Sequence, residues 1–256
     1  MKLYEIAFAS YVYGQLENFD KSYDNLRKAT IPRIDLTSSG HRKEILVWLN
    51  KWGCRQFHKK QHCYASEKLK VWYHEVELPG IDKSIVNATS DVLAQIEKAY
   101  ETLTKTNAVP AKANDGKAAV SWGPTGAAKT LFALRPELCV PWDQKIRAGK
   151  YGDSATSYIQ FLQDCRRDLT VLQADMKERG LDVSQLARLI GREDASLAKL
   201  VDEFNWVTKT RAIKVPSQEV LSRWAQWMLP ARKIKGAKEQ MSMDPTRELK
   251  GPRSNF

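Results

Sequence analysis

One spacing limits what this chain can fold into. Between Ile85 and Leu103, residues fit for a buried face recur at Ile85, Thr89, Val92, Leu93, Ile96, Ala99, Tyr100 and Leu103. Steps of three and four place all of them on one stripe of a helix with 3.6 residues per turn. A half-buried strand would need strict alternation, and none persists over more than a few residues in this sequence. Pro79-Gly80 is a turn, and Asp82 just after it is the expected N-cap of the helix.

The same spacing recurs along the chain. Ile6, Ala9, Val12, Tyr13 and Leu16 predict a helix over 4–16, although Gly14 weakens it by about 1 kcal/mol relative to alanine. Polar residues then run to Pro32, where no helix is predicted. Ile45, Leu46, Trp48, Leu49 and Trp52 predict a helix over 41–52. Tyr158, Phe161, Leu162, Cys165, Leu169, Leu172 and Met176 predict another, closed by Gly180. Asp182 caps a short helix that Gly191 stops. Leu197, Leu200, Val201, Phe204 and Val207 form the next stripe, and Pro216 opens a last helix through Trp224 and Met228. Residues 107–115 read as loop. The expected fold class is all-α, with about eight to ten helices and short loops.

Charge bears on partners. With 41 Lys and Arg against 30 Asp and Glu the chain carries +11, which favours a polyanion, nucleic acid before a membrane surface. The segment from Lys51 to His74 interleaves Arg55, Lys59, Lys60, Lys68 and Lys70 with Trp52, Phe57, Tyr64, Trp72 and Tyr73. That mixture suits phosphate contact with base stacking, and equally an amphipathic helix pair with a solvated cationic face. No apolar signal core follows Met1, and no apolar run approaches the roughly 18 residues that span a bilayer. A soluble protein of the cytoplasm, associated with the nucleoid and monomeric, is expected. Cys54, Cys63, Cys139 and Cys165 show no disulfide framework. Cys54, His58 and His62 fall at i, i+4 and i+8, on one face if the segment is helical. Without a Cys-x-x-Cys pair, no metal is assigned to them, and no cofactor is expected.

Chemistry concentrates between Ser121 and Arg147. Gly123-Pro124-Thr125-Gly126 reads as a tight turn that opens a short apolar helix, Ala127 to Leu134. Such an opening presents free N–H groups and a positive dipole end to a phosphate. A bulky side chain at Gly126 would block that approach. Beyond Pro136, Val140-Pro141-Trp142-Asp143 sets an acid where the next helix starts, followed by the basic Lys145 and Arg147. A Gly-x-x-Gly turn alone is also found where DNA is merely held, so a non-enzymatic DNA-binding protein is the competing reading. RNA binding through the basic aromatic segment is a third.

Gly-Pro-Thr-Gly-Ala-Ala-Lys, the apolar helix and Val-Pro-Trp-Asp with Ile146 and Arg147 together resemble the helix-hairpin-helix DNA glycosylase superfamily (HhH-GPD). Its pattern is Leu-Pro-Gly-Val-Gly-x-Lys, an apolar helix and Val-Asp-x-x-Val. The resemblance covers about a tenth of the chain. It implies a two-lobed helical fold over residues 1–230 with the hairpin lobe at about 80–180. Residues 231–256, basic and without apolar periodicity, read as a disordered tail. It implies that Asp143 is the catalytic acid, and that Gly123, Pro124, Thr125, Gly126 and Ala127, with Lys145 and Arg147, grip double-stranded DNA. Lys129 stands near the family's nucleophilic lysine, but one residue further from the second glycine, with a shorter segment before the acid. Lys129 is therefore either a Schiff-base nucleophile that adds AP-lyase activity or a helix-surface lysine near phosphate.

The implied reaction is excision of a damaged or modified base, leaving an abasic site, in repair or in defence against phage DNA carrying modified bases. The sequence does not specify the base: an oxidised purine is one option by analogy with the family, and a bulky modified pyrimidine is another. It must be flipped from the stack, and Trp122, Trp142, Trp48 and Trp52 are the candidate pocket walls. Each of them is also a candidate for ordinary core packing.

Overall fold

The computed structural model describes residues 1–17, 19–57, 59–111 and 118–225. They form an all-α protein in two units, Met1–Val215 and Pro216–Phe256. The first unit begins with α1 (Leu3–Leu16), α2 (Phe19–Ala29), α3 (Ser39–Lys51) and α4 (His62–Glu75). Next come α5 (Ser90–Lys105), strands β1 (Asn107–Val109) and β2 (Val120–Ser121), α6 (Gly123–Leu134) and α7 (Gln144–Lys150). The unit ends with α8 (Ala155–Glu178), α9 (Leu186–Leu189) and α10 (Leu197–Asn205), and α10 runs on as a π-helical turn, Trp206–Thr210. In the second unit a helix covers 218–225, where the Ser217 hydroxyl accepts the Val220 N–H at 3.4 Å. The expected tail, 231–256, lies outside the described residues, as do His58, Trp227 and Met228.

Most helix ends follow the sequence signals. Ser38 caps α3, Ser154 caps α8, Ser196 caps α10 and Asp182 builds a capping box at Val183–Gln185. Gly180, at φ +70°, ends α8 by turning left-handed, so that the Leu181 N–H returns to the Met176 carbonyl at 2.9 Å.

Several elements differ from expectation. The polar run before Pro32 contains α2, which buries Tyr23 and Leu26 against α3. Two such anchors, each contributing about 1.5–3 kcal/mol, hold a helix that is otherwise polar. The periodic helix starts seven residues later than Asp82 implies: Thr89 is its cap and accepts the Val92 N–H. Asp82 is exposed and pairs with Lys83. Ile85 is buried as the stripe requires, yet as turn residue, with its N–H on the Glu137 carbonyl at 2.9 Å. The expected loop after Asn107 begins as β1, antiparallel to β2, and both strands are too short for a period of two to show. Cys54 and His62 share no helix: Cys54 is buried in the turn after α3, and His62 opens α4.

The main core lies where α5 meets α6 and α8, and where α3 meets α2, α4 and α6. In its centre Trp142 is ringed by Tyr100, Tyr158 and Phe161, with Tyr100 and Tyr158 stacked at 4.5 Å. α1 closes against α10 and the π turn, so the first and last helices of the unit are neighbours. Among the described residues no helix is long and apolar enough to cross a membrane.

A candidate active-site cavity

α6 begins one residue after β2, and its first turn is the Gly-Pro-Thr-Gly segment itself. The expected free-standing turn before the helix is thus part of the helix. Gly123 supplies the change of direction with φ +71°, and Pro124 suits a first helical turn because its fixed φ is already helical and its missing N–H needed no partner. Gln56 braces this corner by donating to the Trp122 carbonyl at 2.7 Å. Gly126 and Ala127 are buried. A Cβ at Gly126 would stand 3.0 Å from the Trp122 ring and 3.5 Å from Phe57, so glycine here serves packing rather than an approaching phosphate.

Asp143 is the N-cap of α7. Its Oδ1 accepts the Ile146 N–H at 2.9 Å, and its Oδ2 accepts the Thr210 hydroxyl at 2.5 Å. The two bonds fix the carboxylate between α7 and the π turn after α10. Pro141 and Trp142 before it are buried, which sets the cap at the edge of the core.

Asp143 lines a cavity of about 470 Å³. Lys129 lines it from α6, Trp52 and Gln56 from the segment after α3, Gly123 to Gly126 from the start of α6, and Asp202 from α10. The Lys129 ammonium donates to the Trp52 carbonyl and lies 5.6 Å from the Trp52 ring centroid. Lys129 and Asp143, fourteen positions apart, thus face one space because α6 and α7 meet it from neighbouring sides.

Asp202 completes the wall. Its helix carries a buried charge cluster in which Lys199 lies 3.0 Å from Glu203, 3.3 Å from Asp20 and 3.6 Å from Asp202. Arg192 joins Asp20 to Glu203 from outside, and Ser10 donates to Glu203 at 2.5 Å. Burial alone would lower the Lys199 pKa, but Glu203, Asp202 and Asp20 hold it above its usual value. Burial pushes the Asp202 pKa up to about 6; Lys199 and Lys129 pull against it, and Glu203 and Asp143 push with it. A carboxyl in that range gains or loses its proton close to neutrality, which suits a proton acceptor.

The sequence-derived residues divide accordingly. Asp143, Lys129, Gly123, Pro124, Thr125, Gly126, Arg147, Trp52, Trp122 and Trp142 share the cavity wall. Trp122 and Trp142 reach it from the core: both are fully buried, and their indole N–H groups donate to Thr130 and to the Pro124 carbonyl. Trp48 does not line the cavity; it packs against Tyr23 and Trp52, so its assignment as a pocket wall is corrected to core. Ala127 is also core. Lys145 points its ammonium to the Thr210 carbonyl at 3.0 Å on the exposed side of α7. Arg147 is buried, pairs with Asp153, and reaches the Thr125 hydroxyl at 3.4 Å. Burial lowers its pKa below the usual arginine value, and its Nε has no hydrogen-bond partner among the described residues.

Sequence reasoning missed Asp202, Thr210 and Gln56. Only Asp202 left a signal: with Glu203 it sits inside an apolar stripe, one turn from Lys199. No protein-family model matches the chain, and no curated protein or solved structure is significantly similar to it.

Proposed function

We propose that this chain is a DNA glycosylase that binds double-stranded DNA, flips a damaged or modified base out of the stack and hydrolyses its N-glycosidic bond. The observation that carries this reading is the shared cavity: Asp143, Lys129 and Asp202 meet on one wall system beside the first turn of α6. A volume of about 470 Å³ is in the range that holds a small ligand and is ample for a flipped nucleobase. Of the first turn of α6, the half-buried Gly123 and Thr125 keep N–H groups without an intrahelical acceptor, and these two suit a DNA phosphate, which supports a helix-hairpin-helix role for this corner. The pairing of α1 with α10 supports a second lobe built from both ends of the chain.

In this mechanism the C1′–N bond lengthens and the base departs with the bonding electrons. Positive charge spreads over C1′ and the ring oxygen, and the fixed Asp143 carboxylate stabilises it. Water adds to C1′, and Asp202 takes its proton. Lys129, beside Trp52 on the same wall, donates to the departing base through its ammonium. A protein that only holds DNA has no use for two carboxylates in such a cavity, since both repel the backbone.

The test is incubation with duplexes carrying different damaged or modified bases, scoring abasic sites for the parent and for Asp143→Asn. At least one duplex is expected to be cleaved by the parent alone. Cleavage of none, or equal cleavage by both proteins, overturns the proposal.

A further inference from the structure

A second, larger cavity of about 710 Å³ shares no lining residue with the first. It lies between the end of α2, the loop over 30–34, the turn over 78–81 and the C-terminal end of α6. Four cations line it: Arg27, Lys28, Arg33 and Arg135. None of the four forms an ion pair among the described residues. Arg135 is held rigidly, its Nε donating to the Pro79 carbonyl and its Nη1 to the Leu134 carbonyl at 2.8 Å. Its Nη2 makes no hydrogen bond among the described residues. Burial lowers the Arg135 pKa, and Arg33 presses the same way. A pinned, half-buried guanidinium beside a second arginine, with no carboxylate on either, is matched by an anionic ligand.

The remaining wall describes the body of that ligand. Ile31 is 73 % exposed and Ile81 51 % exposed, the two most exposed large aliphatic side chains among the described residues, and both belong to this cavity. Tyr23 and Tyr73 add ring surface. The Asp24 and Asp194 carboxylates, which form no ion pair among the described residues, supply acceptors, although the Asp194 backbone carbonyl already accepts from Arg27 at 3.3 Å. A fatty acid has an anionic head and an apolar body but nothing to donate to these acids. A phosphorylated nucleoside has all three: an anion, a flat ring, and hydroxyl or amino donors.

We propose that this cavity is a binding site for a free nucleoside monophosphate, with its phosphate on Arg135 and Arg33 and its base against Ile31, Ile81 and Tyr73. The site stands independently of the glycosylase reading.

Isothermal titration calorimetry of the full chain tests it with AMP, GMP, CMP and UMP, and with adenosine, inorganic phosphate and decanoate. At least one monophosphate is expected to bind about tenfold or more tightly than adenosine, phosphate or decanoate, since it alone fills every part of the wall. Arg135→Gln and Arg33→Gln are each expected to weaken it about tenfold, the loss of one charge-assisted contact. Arg33 is exposed, so its variant keeps the fold and the result readable even if Arg135→Gln unfolds. Failure of all four monophosphates to bind, tighter binding of decanoate, or parental affinity in Arg33→Gln overturns the proposal.

Discussion

Asp143 has two structural duties and a proposed chemical one, and asparagine separates them. The amide keeps an oxygen for the Ile146 N–H, and asparagine caps helices as well as aspartate does. It cannot carry the charge. Asp143→Asn is therefore expected to melt close to the parent temperature while losing about 10²–10³-fold in excision rate, the usual scale for removing one preorganised electrostatic group. Equal rates in single-turnover assays would reduce Asp143 to a helix cap. Lys129 is engaged by the Trp52 carbonyl, and water is the proposed nucleophile. Borohydride is thus expected to trap no covalent complex between parent protein and cleaved DNA. Trapping that disappears in Lys129→Gln would instead assign the proposed reaction a lyase step at Lys129. Asp202 gives a stability signature. Burial raises its pKa from 3.8 to about 6, against Lys199 and Lys129 and with Glu203 and Asp143; Asp20, on Lys199, and the neutral Tyr13 phenol are the other titratable groups of this cluster. The native state then holds this proton more tightly than the unfolded chain, so stability falls as pH rises through that window. Asp202→Asn removes the slope. Its melting temperature is expected to change less than the parent's between about pH 4 and pH 6, and parallel curves from calorimetry would count against the assignment.

At the scale of elements, α6 shows what a sequence can and cannot disclose. Its two glycines were legible as a helix start, but their roles were not. Gly123 has its left-handed backbone with open space around it, and Gly126 has a Trp122 ring 3.0 Å from where a side chain would begin. Gly126→Val is accordingly expected to destabilise the protein by about 1–3 kcal/mol through overpacking, visible in urea denaturation. A stable Gly126→Val protein with weakened DNA binding would restore the phosphate-facing role that the turn pattern alone implied. The stripes of α5, α8 and α10 were readable because burial there follows a strict 3.6 period. α2 escaped because Phe19, Tyr23 and Leu26 are spread thinly among charges, and its stability comes from what α3 offers them. Asp202 escaped for a related reason. Periodicity marks which side of a helix faces inward, but not whether an inward acid meets a lysine and a cavity. Thr210 lies 67 residues from Asp143, and only the packing of the π turn against α7 brings them together.

At the scale of the whole molecule, the charge of +11 predicts nothing about where DNA lies, because most cations are dispersed. The cavity narrows the choice. Arg147 is buried and taken by Asp153, and Lys129 is half-buried with its ammonium on the Trp52 carbonyl, so neither is an exposed counterion to a phosphate. Exposed Lys51 and Arg55 flank the lining residues Trp52 to Cys54, and exposed Lys145 and Lys209 flank Asp143 and its Thr210 anchor. These four give a rim of about four phosphate contacts. Each releases condensed counterions, so log affinity for duplex DNA is expected to fall against log salt with a slope of about −3.6. Between 50 and 200 mM salt that is a loss of roughly 150-fold, readily seen by fluorescence anisotropy with a labelled duplex. Changing Lys51 and Arg55 together to Gln should reduce the slope by about two contacts, to roughly −1.8, while leaving the charge elsewhere intact. A slope near zero would mean that the basic surface does not meet DNA. A steep slope unmoved by that double change would place the DNA on another face, away from Asp143, and would remove the physical basis for base excision in this cavity.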